Sequence, residues 1–249
     1  MPIHLYPQNS SSNKNSEPYI RLPAPHTDII LTPPRPNDPK DASFLVTTLN
    51  DPRVYTFLES PPFPYLPEHA ASFIRDARAE CDRILKDVDA GRVSVDGCPF
   101  RFIRQVVKKD EDEDGEGTDV LIGDISITRY AFYELPPGSE ERREAQERNK
   151  ALPVGSRDIV WGIGNFLSPS HYGRGIMTAV VRTLIDEWAV PRMNARLIKA
   201  SAYVGNVASV RVFEKNGFEM ERTLEDWSIV PESRGGGRKS IHVLGLRAP

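Results

Sequence analysis

Ser168-Pro169-Ser170-His171-Tyr172-Gly173-Arg174-Gly175-Ile176-Met177-Thr178 is the stretch that decides how this chain is read. Before it runs Asp158-Ile159-Val160-Trp161-Gly162-Ile163-Gly164-Asn165-Phe166-Leu167, which alternates as a strand does. After it, Val181, Leu184, Ile185 and Trp188 recur at helical spacing and predict an amphipathic helix to about Trp188. The quoted stretch is therefore a strand-to-helix turn. Its two glycines let the backbone bend tightly and approach a ligand. The first N–H groups of the helix lack internal partners, and the helix dipole stands behind them. Such a turn is a cradle for phosphate.

The nucleotide motifs do not account for it. No Gly-x-x-x-x-Gly-Lys-[Ser/Thr] loop occurs. A dinucleotide fingerprint needs a third glycine, but Gly173-x-Gly175 is followed by Thr178, and Gly162-x-Gly164 by Leu167. No Gly-x-Ser-x-Gly elbow is present. The five histidines (4, 26, 69, 171 and 242) show no ligand spacing, so no metal site is expected.

Bulk properties narrow the field. The 249 residues carry a net charge of -3, which argues against a general nucleic-acid binder. A hydrophobic fraction of 39% suits an ordinary soluble domain, and no run is long enough to span a bilayer. Cys81 and Cys98 form no disulfide framework; Cys81 falls on an apolar helix face. A cytoplasmic location is expected, with the nucleus also open, and no nucleic-acid or membrane partner.

Residues 1–18, polar and rich in Ser, Asn and Pro, are expected to be a disordered tail before a single domain over 19–249. Ile29–Thr32 reads as a first strand. Asp38-Pro39 signals a helix start, by cap and first-turn proline. Residues 51–66 form a Pro- and aromatic-rich connection that includes Glu59. Ala70, Phe73, Ile74, Ala77, Cys81, Ile84, Leu85 and Val88 line one face of a long helix. Strands follow at 100–107, 120–127, 158–167, 197–203, 218–230 and 240–247, with a short helix at 208–215. Surface insertions are expected at 108–118, which holds the acidic run 110–116, and at 134–156, whose helix shows no apolar face. One α/β mixed sheet of about seven strands, with helices on both faces, satisfies this order.

A second motif narrows the phosphate. Asn206-Val207-Ala208-Ser209-Val210-Arg211-Val212-Phe213-Glu214-Lys215-Asn216-Gly217-Phe218 lies about thirty residues downstream. Locally, Asn206 caps a helix, Gly217 ends it in a left-handed turn and Phe218 packs back. Together with Tyr172-Gly173-Arg174-Gly175-Ile176-Met177, the segment resembles the GNAT superfamily of acyl-CoA N-acyltransferases. The likeness is nearest the ribosomal-protein N-terminal and spermidine-type acetyltransferases, and covers about 29–247. Asn206, Ser209, Lys215, Gly217, Phe218 and the central Gly175 match; Tyr172 and Met177 depart from the strict [Gln/Arg]-x-x-Gly-x-[Gly/Ala] signature. Asn50-Asp51-Pro52 and Pro64-Tyr65 also resemble this branch.

The resemblance implies a GNAT-like twisted sheet and acetyl-CoA as co-substrate, without metal. Backbone amides of Gly173, Arg174, Gly175, Ile176, Met177 and Thr178, beside Tyr172, would hold its pyrophosphate, with Arg174 adding charge. Asn165, Phe166 and Leu167 would pair with the pantetheine arm in a V-shaped gap opened by a bulge, and Asn206 would bind its amide. An amine would attack the thioester directly in a ternary complex. Ser209 would serve the leaving thiolate, with Glu59 or Tyr203 as base. The acceptor would be a small-molecule, polyamine or peptide amine, and the protein a monomer or homodimer. A non-catalytic acyl-CoA-binding regulator on the same fold is the alternative.

Overall fold

The computed structural model describes residues 4–7, 16–59, 61–107 and 118–248. Its elements, in chain order, are β1 (His4–Pro7), β2 (Ser16–Arg21), β3 (Ile29–Thr32), α1 (Pro39–Leu49), α2 (Pro52–Tyr55), α3 (Pro67–Asp89), β4 (Phe102–Val107) and β5 (Thr118–Arg129). Then come α4 (Glu140–Ala151), β6 (Val160–Leu167), α5 (Ile176–Leu184), α6 (Val190–Met193), β7 (Leu197–Tyr203), α7 (Val207–Glu214), β8 (Glu219–Ile229) and β9 (Arg238–Arg247). One sheet runs β1-β2-β3-β4-β5-β6-β7-β9-β8, antiparallel at each pairing except β6 with β7.

Among the described residues nine strands stand where sequence reading expects about seven, and the two added ones are the first two. His4–Pro7 pairs antiparallel with Ser16–Arg21, so the described residues 4–7 and 16–18 of the expected disordered tail are strand. Ladder hydrogen bonds use the backbone, so polar sequence does not forbid them. Residues 1–3 and 8–15 lie outside the described residues, as does nearly all of the 108–118 insertion with its acidic run.

Helices cover both faces. On one, Val180, Val181, Leu184 and Trp188 pack against Ile125, Ile127, Trp161, Ile163 and Ile198. A π-type turn at Ile185–Ala189 follows α5 and keeps Trp188 inward, its Nε1 donating to the Gly97 carbonyl at 2.9 Å. On the other face, Leu45, Leu49, Ala70 and Ile74 cover Phe102 and Leu121. Cys81 and Cys98 are buried free thiols, and burial pushes the Cys81 thiol up to about 12.

The 134–156 insertion docks through polar groups. Asn149 on α4 is buried and mimics a strand partner: its Nδ2 donates to the Val160 carbonyl at 2.8 Å, and its Oδ1 accepts from the Val160 amide at 2.9 Å. Arg129 donates to the carbonyls of Asn149 and Leu152. Hydrophobic periodicity cannot report such contacts, so the helix reads from sequence as a bare surface element.

Candidate active site

The strands β6 and β7 run parallel from Val160 opposite Leu197 to Ile163 opposite Ala200, and the pairing stops there. β6 continues to Leu167 against β5 in unbroken register. β7 continues to Tyr203 against β9. The two strands diverge between these separate partners and open a V at Gly164–Leu167. The implied bulge in β6 is absent. The bulge of this region lies in β5, where Ile122 is the extra residue between Leu121 opposite Arg104 and Gly123 opposite Ile103. Gly123 lets β6 lie close: a Cβ there would stand 2.5 Å from the Phe166 carbonyl oxygen.

The glycine turn sits at the mouth of this V. Gly173 and Gly175 have φ of +72° and +77°, the left-handed region, and Gly175 is the N-cap of α5. Space does not demand glycine at Gly175, since an added Cβ would come no nearer than 3.7 Å to His26 Nε2. Conformation does, because side chains disfavour that φ. Ile176 and Met177 bury their side chains in the core, which leaves their amides to the turn. His171 has both ring nitrogens engaged, with Ser170 Oγ at 2.9 Å and Gln105 Oε1 at 3.1 Å. A Gly175→Val variant should therefore bind acetyl-CoA roughly 10-fold to 100-fold more weakly, since left-handed strain of about 1–3 kcal/mol reshapes the cradle. Calorimetric titration reads this, with Gly175→Asn, tolerant of that φ, expected in between; unchanged affinity in Gly175→Val would refute it.

A cavity of about 770 Å³ runs from the turn along the V. Asn165, Phe166 and Leu167 line it, as do Tyr172, Gly173, Gly175, Ile176, Met177 and Thr178. Arg174, alone of the turn residues expected here, does not; it is exposed and its charge acts on His171. Asn206 and Ser209 line the opposite wall, on α7. Asn206 caps that helix, its Oδ1 accepting from the Ser209 amide at 3.2 Å, so its side-chain oxygen is already used. Gly217 (φ +82°) ends the segment and Phe218 packs on Phe213 at 5.1 Å.

Glu59 and Tyr203 line the far end of the same cavity. Glu59 is exposed, yet packing around the carboxyl pushes it above the usual glutamate range, with Arg142 pulling it partly back. Tyr203 is buried, and its hydroxyl bonds Ser228 Oγ at 3.1 Å. Burial raises its phenol, and the nearby Glu59 charge adds to the effect. The hydrogen bond to Ser228 opposes that rise.

The loop carrying Glu59 is held from two sides. Asn50 closes its base: its Oδ1 accepts from the Tyr65 amide and its Nδ2 donates to the Tyr65 carbonyl, both at 2.8 Å. From the other side, Arg234 donates to the carbonyls of Leu58 at 2.7 Å and Glu59 at 3.2 Å, and Lys239 donates to Thr56. Arg234 and Lys239 belong to the last hairpin, 170 residues and more along the chain. Nothing in their local sequence signals the contact. Tyr133 and Trp227 complete the wall, with ring centroids 5.5 Å apart and planes at 73°. Neither the two lining aromatics nor the two cations that hold the loop are legible from local sequence.

A parallel strand pair that splays, with an amide turn at its mouth and a helix N-terminus across the gap, is the architecture of an acyl-CoA-dependent acyltransferase. The chain belongs to the GNAT acetyltransferase family: the model of the acetyltransferase (GNAT) domain matches residues 28–219. A probable N-acetyltransferase of Bacillus subtilis (strain 168), YjcK, is 42% identical over 84 residues, which is 34% of this chain and 39% of that protein. The ribosomal-protein-S5-alanine acetyltransferase of Vibrio fischeri has the same fold, with TM-score 0.53 and 14% identity over 92% of this chain and 96% of that one. So has the microcin C7 self-immunity acetyltransferase MccE, solved with acetyl-CoA and AMP, with TM-score 0.51 and 16% identity over 89% of this chain and 93% of that one. Acetyl-CoA is the co-substrate this family relationship carries. Among the described residues no His, Cys, Asp and Glu group could hold a metal, and no helix is long and apolar enough to cross a membrane.

Proposed function

We propose that this chain transfers the acetyl group of acetyl-CoA to a primary amine by direct attack in a ternary complex. The observation that carries this reading is that Gly175, Phe166, Ser209 and Glu59 border one continuous cavity. Amides of residues 173–178 hold the pyrophosphate, and the backbone freed at Asn165–Leu167 pairs with the pantetheine arm. Asn206 binds that arm through its side-chain amide N–H. The amine nitrogen attacks the thioester carbon after yielding a proton toward Glu59, whose raised pKa suits it to that task. As the C–S bond breaks, the Ser209 hydroxyl donates to the thiolate. Tyr203 stays protonated and orders the wall. The acceptor is a primary amine of a small molecule or peptide.

Thiol release from acetyl-CoA against an amine panel tests the reaction. At least one primary amine should accelerate release, and Ser209→Ala should lower kcat about 10²-fold with CoA affinity unchanged. CoA binding without release on any amine would leave a binding protein in place of the enzyme.

A further inference from the structure

The acceptor end of the cavity is aromatic and short of negative charge. Tyr130, Tyr133, Tyr203 and Trp227 all line it. Tyr133 bridges two edge contacts, to Tyr130 at 5.6 Å and to Trp227 at 5.5 Å. Arg142 lies over both Tyr133, at 5.0 Å, and Trp227, at 5.6 Å, and backs the pair. Against them, Glu59 is the one carboxylate among the described lining residues. The lining cations are Arg53, Arg129, Lys199, Arg211 and Lys215. Lys199 is held by Glu134 at 2.7 Å and by Glu221 at 2.9 Å, which takes those carboxylates out of play.

A second ammonium, as on a polyamine, would find no second carboxylate among the described lining residues. One carboxylate suits one ammonium. Aromatic edges suit a flat apolar body beside it, because ring pairs add about 0.5–1.5 kcal/mol beyond area burial. We propose that the acceptor is a monoamine carried on an aromatic body, its ring against Tyr133 and Trp227 and its nitrogen toward Glu59. The inference rests on the acetyl-transfer reading for the chemistry alone. In that step the ammonium gives one proton to Glu59, an N–C bond forms and the C–S bond breaks; the second proton shed by the nitrogen reaches the departing sulfur by way of the Ser209 hydroxyl, so CoA leaves as the thiol. The products are the acetamide, CoA and the proton that Glu59 passes to water.

Binding and turnover separate the two readings. We would titrate 2-phenylethylamine, n-hexylamine and spermidine into the full chain saturated with CoA. 2-Phenylethylamine should bind about tenfold tighter than either of the others, the upper end of the ring contribution. Trp227→Leu should bring the three within about twofold while CoA affinity stays unchanged; Tyr133→Leu serves if that variant fails to fold. Spermidine binding equally or more tightly, or an aromatic preference that survives in the folded variant, overturns the proposal. Aromatic preference in binding with no thiol release would sink only the catalytic reading. Release that favours spermidine would sink only this one.

Discussion

An Arg104→Met variant is expected to lose about 3–5 kcal/mol of stability, the usual cost of leaving a buried charge uncompensated. The guanidinium is 1% exposed and lies under α1. It donates to Thr32 Oγ1 at 3.0 Å, to both oxygens of Asp41 and to Asp119 Oδ1 at 3.2 Å. Asp119 keeps a second partner in Arg35, which also holds Glu17. Among the described residues Asp41 makes its ion pair with Arg104 alone, and is itself 1% exposed. Methionine fills much of the volume, so the loss falls on charge rather than packing. For a chain of this size the midpoint of thermal unfolding should drop by about 6–20 °C. The pH dependence has a definite sign. Burial raises the Asp41 carboxyl, and Arg104 opposes that rise. Without Arg104 the folded-state value climbs further above the unfolded one. Stability from such a group is full at low pH and is lost as pH rises through the folded value. The gap between variant and parent should therefore widen from pH 5 to pH 8. Urea unfolding at the two pH values measures it; a constant or shrinking gap would refute the assignment. Adding Asp41→Leu to Arg104→Met should restore much of the loss.

Glu59→Gln should lower kcat about 10²–10⁴-fold, the range of a positioned general base, while leaving CoA affinity intact. The carboxyl acts as a base only when ionised, and packing holds it above the usual glutamate range. The parent should therefore show an acid limb in kcat above pH 4.5 or so, where an ordinary glutamate has already titrated. Arg142 opposes the shift, so Arg142→Met should move that limb to higher pH. The limb should vanish in Glu59→Gln. Turnover that keeps both its rate and its acid limb in Glu59→Gln would assign the proton to another group.

Features set within a few residues were legible before the structure. Asp38 and Pro39 start α1, and the Asp38 carboxylate does accept from the Lys40 amide at 2.9 Å. The alternation of 158–167 gave β6, and the heptad-like spacing from Ala70 gave α3. The left-handed Gly175 and the Asn206 and Gly217 ends of α7 are likewise local, because cap chemistry and φ depend on immediate neighbours. The β1–β2 pairing leaves no side-chain pattern, because it runs through the backbone. The insertion helix was read as free-standing because Asn149 anchors it with two hydrogen bonds and no apolar stripe.

The acceptor wall required the fold. Glu59 is legible only as a residue of an aromatic loop; its neighbours Tyr133, Tyr203 and Trp227 come from three other parts of the chain. The gap between β6 and β7 is also a tertiary product, since it exists because each strand follows a different partner. By itself, the sequence determined the strand–turn–helix cradle, the capped α7 segment and, through both, the acyl-CoA family. Those are backbone conformations, and short-range sterics and caps dictate them. Only the tertiary structure decided where the V opens, which carboxylate lines the cavity and what surrounds it. Those depend on contacts between residues far apart in the chain, and no local pattern encodes which of them will meet.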